Sequence, residues 1–215
     1  MRIDATVLML TGLAAAYLLG VFFLPPALIL AVATLSVAVP VGLREAGWLR
    51  DHDELLRRGQ RRGGLWAFVL LLAMAPLYVL SESARDAFAG RSLEAALALF
   101  ALVCLRESRG PRTAVRVLLN VAALLAAAYG LSHVPDLDKL AAMLAVAAGL
   151  AATAYLAGRV PALAATILAA ATVAQLVQAA RASAAALVTA VPTTIVWTAM
   201  AVLLYGAVRI EADED

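Results

Sequence analysis

The sequence predicts an all-α, polytopic membrane bundle of about eight transmembrane helices, with seven as the alternative. Three observations predict it. The 215-residue chain is 64% hydrophobic with a mean hydropathy of +0.92. It is 15% charged, against about 25% in water-soluble domains, which also hold only about half apolar residues. A soluble core of this length could not hide so much apolar side chain, so lipid is the solvent for much of it. Finally, the apolar residues fall in runs of membrane-spanning length, about 20 residues for a helix crossing a hydrocarbon core of about 30 Å, and short clusters of arginine separate the runs.

The first predicted span covers 4–24, and Pro25-Pro26 turns it into the second, 26–43, because proline suits a first helical turn where its missing N–H costs nothing. The run from Ala5 to Leu24 is too long for a cleavable signal sequence and reads as a span. A polar stretch at 44–64 follows as a loop. Within it Asp53/Arg57 and Glu54/Arg58 have the favourable i,i+4 order for a short surface helix, and Gly63-Gly64 is expected to break that helix from the third span, 65–81. The fourth, 92–106, is the shortest. Its uncharged core from Ala95 to Leu105 covers only ~17 Å at 1.5 Å per residue, so either Glu94 and Arg106 snorkel or the helix starts near Ala87. The remaining spans are 113–132, 138–157, 161–181 and 184–208, the last ending at Arg209 before an acidic tail at 210–215. The whole chain, 1–215, is read as a single integral membrane domain.

Charge sets the orientation. With the N-terminus inside, only Arg85, Arg91, Lys139 and Arg181 fall outside, and the other thirteen of the seventeen basic residues fall inside. The positive-inside rule then places both termini in the cytoplasm of a cell inner (plasma) membrane. It also supports the short fourth span, without which Arg106 to Arg116 would be stranded outside. Tyr17, Phe22, Phe23, Tyr78 and Tyr129 fall at the outer ends, and Trp48, Trp66, Tyr155 and Tyr205 at the inner ends, as an interfacial belt requires. The preference for arginine over a single lysine, Lys139, reads as prokaryotic coding bias. A similarity between the stretches from Gly12 and from Gly149 has the spacing of an inverted repeat, although alanine-rich helices produce such matches by themselves.

The middles of the spans carry no Asp, Glu, His, Lys or Arg. Buried charges usually mark function in membranes, so several classes are excluded. His52 and His133 lie outside the spans and cannot hold a haem between helices. No intramembrane carboxylate pair, HExxH, GxSxG or phosphate-binding loop is present. Lys139 sits at a helix start, where a retinal Schiff base has no place. The lone Cys104 can form no internal disulfide. Asp51-His52-Asp53-Glu54 point in different directions on a helix and do not make a metal site. His133, Asp136 and Asp138 read as an exposed turn. No cofactor, metal or catalytic residue is expected, and no nucleic acid as a partner.

Neutral polar residues remain. Gln175, Gln178 and Arg181 repeat every three residues in the seventh span, and Thr189, Thr193 and Thr194 surround Pro192 in the eighth. Together they form a candidate polar cavity for a neutral or anionic solute, with Arg181 at its mouth and the threonine hydroxyls re-satisfying the backbone freed by Pro192. Interhelical hydrogen bonds worth roughly 0.6 kcal/mol each are the plainer reading, and Asn120 is read in the same way. Arg57, Arg58, Arg61 and Arg62 are candidate contacts for anionic lipid headgroups of the bilayer. The functional expectation is a small-solute transporter or permease-like protein, or the membrane subunit of one. The alternatives are a non-catalytic subunit packing against a partner membrane protein or a second copy, and an enzyme acting on a lipid or phosphorylated substrate at the cytoplasmic face.

Overall fold

The structure is a computed structural model that describes residues 54–80, 85–131 and 136–214, with side chains from Arg58 to Tyr78, Ala87 to Leu131 and Asp136 to Ile210. The first two predicted spans and their proline turn, the first part of the polar loop, His133 and the Gly12 half of the internal similarity lie outside the described residues. What is described is helical, with no strand among these residues. Six helices follow in order: α1 Glu54–Leu80, α2 Arg85–Arg109, α3 Pro111–Leu131, α4 Leu137–Arg159, α5 Pro161–Ala182 and α6 Ala184–Glu214. Among the described residues, five apolar stretches are long enough to cross a membrane: Ala87–Arg109, Pro111–Leu131, Leu137–Arg159, Pro161–Ala182 and Ala184–Ile210. Large side chains such as Phe68, Leu72, Leu124, Tyr155 and Val202 are exposed on the helices. So much apolar surface is compatible with lipid and not with water; this is a membrane protein.

The helix ends follow from local chemistry. Gly110 closes α2 with φ of +83°, a left-handed conformation that glycine adopts without strain, and its N–H donates to Arg106 O at 3.0 Å. Pro111 then opens α3. Asp136 caps α4, its Oδ1 accepting from Lys139 N–H at 3.2 Å while Oδ2 meets Lys139 Nζ at 3.0 Å. This acid, read from sequence as part of an exposed turn, is a helix cap. Val160 precedes Pro161 at the start of α5. Between α5 and α6 stands a single extended residue, Ser183, whose N–H donates to Ala179 O and whose Oγ accepts from Ala186 N–H. One residue leaves room only for a tight hairpin.

Two compact units are present, Glu54–Asn120 with Ala151–Asp215, and, within the described residues, Val121–Leu150. In the first, α2 packs against α1 on one side and α6 on another, and α5 packs against α6. Phe88, Leu102, Leu105, Leu119, Leu168 and Leu204 are its largest fully buried side chains, and Pro192 is buried with them. In the second, Gly130 of α3 lies so close to α4 that a Cβ there would come within 2.8 Å of Met143 Cβ.

Two expectations are corrected. Gly63-Gly64 does not break a helix; α1 runs unbroken for 27 residues through both glycines and through Pro76. The reason is tertiary. Gly59 and Gly63, one turn apart, face α2 at such short range that a Cβ on Gly59 would stand 3.2 Å from Cys104 Cα and one on Gly63 3.0 Å from Phe100 O. Small residues at i,i+4 let helix backbones approach in this way, and the packing overrides glycine's poor helix propensity of about 1 kcal/mol. For the fourth predicted span the structure takes the second of the two alternatives, the earlier start: α2 begins at Arg85 and its apolar stretch at Ala87. The eighth does not end at Arg209; α6 continues to Glu214, and no glycine or proline intervenes to stop it.

Candidate functional site

The α5–α6 hairpin and α2 enclose an open cleft of about 340 Å³. Its polar lining comes from Arg91 of α2, Gln175 and Gln178 of α5, and Thr189 and Thr193 of α6, with Ala179, Ala182 and Ala190 between them. On α5 this set has the spacing of one helix face. At about 100° per residue, Gln175, Ala179 and Ala182 stay within a narrow arc. The lining runs from Ala182, next to the turn at Ser183, to Gln175, about 10 Å along α5 and roughly a third of the thickness of a hydrocarbon core.

The hydrogen bonds give the cleft a polarity. Gln175 Nε2 donates to Thr193 Oγ1 at 2.8 Å. Thr193 Oγ1 donates its own hydrogen to Ala190 O at 2.8 Å. A hydroxyl has one hydrogen, so towards Gln175 it can only accept; that fixes the amide with Nε2 on Thr193 and leaves Oε1 as a free acceptor. Thr189 likewise gives its hydrogen to Ala186 O at 2.9 Å. The threonines of the cleft therefore present oxygen lone pairs, and the donors left to the cleft are the Arg91 guanidinium, the Gln178 amide and the second N–H of Gln175.

Comparison with known proteins returns no matching family model, no matching curated protein and no matching solved structure. The site itself carries the functional argument.

The structure brings Gln175, Gln178, Thr189 and Thr193 together, but not Arg181 or Thr194. Each i+3 step on a helix falls about 60° short of a full turn. Two steps from Gln175 therefore carry Arg181 off the cleft face, and it is exposed elsewhere on α5. Thr194 is buried on another face of α6 and donates to Val191 O at 2.8 Å. Arg91 lines the cleft instead of Arg181. Sequence reasoning placed it only among outer surface charges, and its position on the α5–α6 side of α2 is a tertiary fact without a local signal. Nor do the hydroxyls compensate Pro192 as expected. The carbonyl left without an N–H is Val188 O, one turn back, yet Thr189, Thr193, Thr194 and Thr198 donate to Ala186, Ala190, Val191 and Thr194 carbonyls.

At the other end of α2 lies a basic surface. Arg58, Arg61 and Arg62 of α1 are exposed, as are Arg106 and Arg109 of α2. Arg62 Nη1 meets Glu107 Oε1 at 2.9 Å, and the side chain of Arg57 lies outside the described residues. From Arg91 to Glu107 is about 24 Å of helix, so cleft and basic surface sit near opposite ends of α2. Asn120 is exposed on α3, and the Arg116 guanidinium lies across Gly158 of α4, 3.6 Å from where its Cβ would be.

Proposed function

We propose that this chain is a small-solute transporter or permease-like protein, or the membrane subunit of one, and that the cleft between α2, α5 and α6 receives the solute. The observation that carries the reading is the Gln175–Thr193 pair. It holds an amide acceptor in an inlet that reaches about a third of the way along α5 and α6. Neutral hydrogen-bonding groups with one guanidinium suit a neutral or anionic polar solute. Eight spans with both termini in the cytoplasm remain the topology best matched to the charge distribution. In that topology the cleft opens outward and the arginines of α1 face the cytoplasmic leaflet, where anionic headgroups attract them by about 1 kcal/mol each.

The test is a ligand-observed NMR screen of the full chain in nanodiscs against pooled small neutral and anionic solutes, with empty nanodiscs as the control. Binding that is lost on replacing both Gln175 and Gln178 by alanine supports the proposal. Binding no greater than to empty discs, or unaltered by the double replacement, removes it.

A partner-subunit role is the second reading, and α4 favours it. Ala141, Ala142, Ala145, Ala148 and Ala152 are all exposed there, and small residues permit close helix approach. Co-purification of a second membrane chain, or a stable homo-oligomer in mild detergent, is the result it requires.

A further inference from the structure

We propose that the cleft selects a small oxyanion that carries a hydrogen-bond donor beside its charge, a hydroxy acid or an amino acid in size and chemistry, and that Arg91 anchors the charge. This deepens the transport reading above and rests on it.

The argument is an account of donors and acceptors. On the α6 side the hydrogens of Thr189 and Thr193 are already given to the Ala186 and Ala190 carbonyls, so both oxygens offer lone pairs only. Gln175 has given one of its two amide N–H groups to Thr193 and keeps Oε1 as an acceptor. A ligand that donates is received by these three oxygens without disturbing those bonds. On the α2 side the requirement is reversed, because the Arg91 guanidinium donates and never accepts. It is planar and matches a carboxylate with two parallel bonds. Gln178 can supply a further donor next to it. Arg91 itself makes no ion pair or hydrogen bond with another described side chain, and Glu94, one turn along α2, acts on it only through its charge. A ligand with both a carboxylate and a hydroxyl or ammonium group satisfies both walls. A simple carboxylate leaves the acceptors unmet, and a neutral polyol leaves the guanidinium unmet.

Four probes of one carbon skeleton separate the possibilities: lactate, alanine, propionate and propane-1,2-diol. Each is titrated against the full chain in nanodiscs by ligand-observed NMR. Lactate or alanine is expected to bind at least tenfold more tightly than both propionate and the diol. Arg91→Gln is expected to remove that advantage over the diol, Arg91→Lys to keep part of it, and Arg181→Gln to change nothing, since Arg181 lies off the cleft. An unaltered helical circular dichroism spectrum and gel-filtration profile show that a variant is folded. The class proposed here is overturned, with the transport reading intact, if the diol binds as well as lactate and alanine or if folded Arg91→Gln binds all four like the parent. If none of the four binds but other solutes in the pooled screen do, the class again falls alone. If nothing binds in either experiment, both readings fall together.

Discussion

Gln175 and Thr193 face each other across the α5–α6 hairpin, with Nε2 donating to Oγ1 at 2.8 Å. Thr193 passes its own hydrogen on to Ala190 O, so the two helices are joined through a hydroxyl with its hydrogen committed. Removing the hydroxyl leaves the glutamine N–H unmet, whereas removing both groups leaves nothing unmet. Thr193→Val is therefore expected to destabilise the protein by about 1 kcal/mol, Thr193→Ser by much less. In the Gln175→Leu/Thr193→Val double variant the two losses should not add. Unfolding by SDS titration in mixed micelles measures this, and strict additivity would show that the bond contributes nothing.

Gly63 and Gly64 are neighbours with opposite prospects. A Cβ on Gly63 would stand 3.0 Å from Phe100 O and 3.1 Å from its ring, whereas a Cβ on Gly64 meets nothing within 4 Å. Gly64→Ala is expected to leave stability unchanged or raise it by up to about 1 kcal/mol through helix propensity. Gly63→Val must separate α1 from α2, at about 1–3 kcal/mol. Equal responses in the same SDS assay would mean that α1 does not lie on α2 as described.

Much of the helical plan was legible. Gly110-Pro111 and Val160-Pro161 punctuate the chain where helices meet, and the apolar runs between them have spanning length. What misled was local reasoning at places decided by tertiary contact. Gly63-Gly64 reads as a break only while α2 is out of view; the spacing of Gly59 and Gly63 was the signal that could have revealed it. The cleft was half legible. Gln175, Gln178, Thr189 and Thr193 were found because polar residues in an apolar run stand out. Arg181 was misplaced because three-residue steps drift round a helix, and Arg91 was missed because its helix reaches the cleft from far away in sequence.

Cys104 reports on the same α1–α2 contact. Its thiol is buried, 2% exposed, and Sγ lies 3.3 Å from where a Gly63 Cβ would be. A maleimide reagent is expected to label it at least tenfold more slowly in folded protein than after denaturation, since access limits thiol chemistry. Gly63→Val, by forcing the helices apart, should raise the native rate. Rapid labelling of the unaltered protein would contradict the burial.

Topology can be decided by parity. In a Cys104→Ala background, single cysteines at Arg2, Arg61, Ser183 and Arg209 are probed in intact cells with a membrane-impermeant maleimide, then again after permeabilisation. Ser183 and Arg209 stand at opposite ends of the apolar stretch of α6, so exactly one should react from outside if α6 crosses the membrane. The charge distribution makes that one Ser183, because arginine-rich segments stay in the cytoplasm. Arg61→Cys should be silent until permeabilisation, like Arg209→Cys. Arg2→Cys then separates eight spans from seven. An even number returns the chain to its starting side, so residues 2 and 209 react alike; an odd number makes them react oppositely. Labelling of residue 209 from outside with 183 silent would invert the orientation and turn the cleft to the cytoplasm. Labelling of both from the same side would remove α6 as a span, and with it the inlet on which the transport proposal depends.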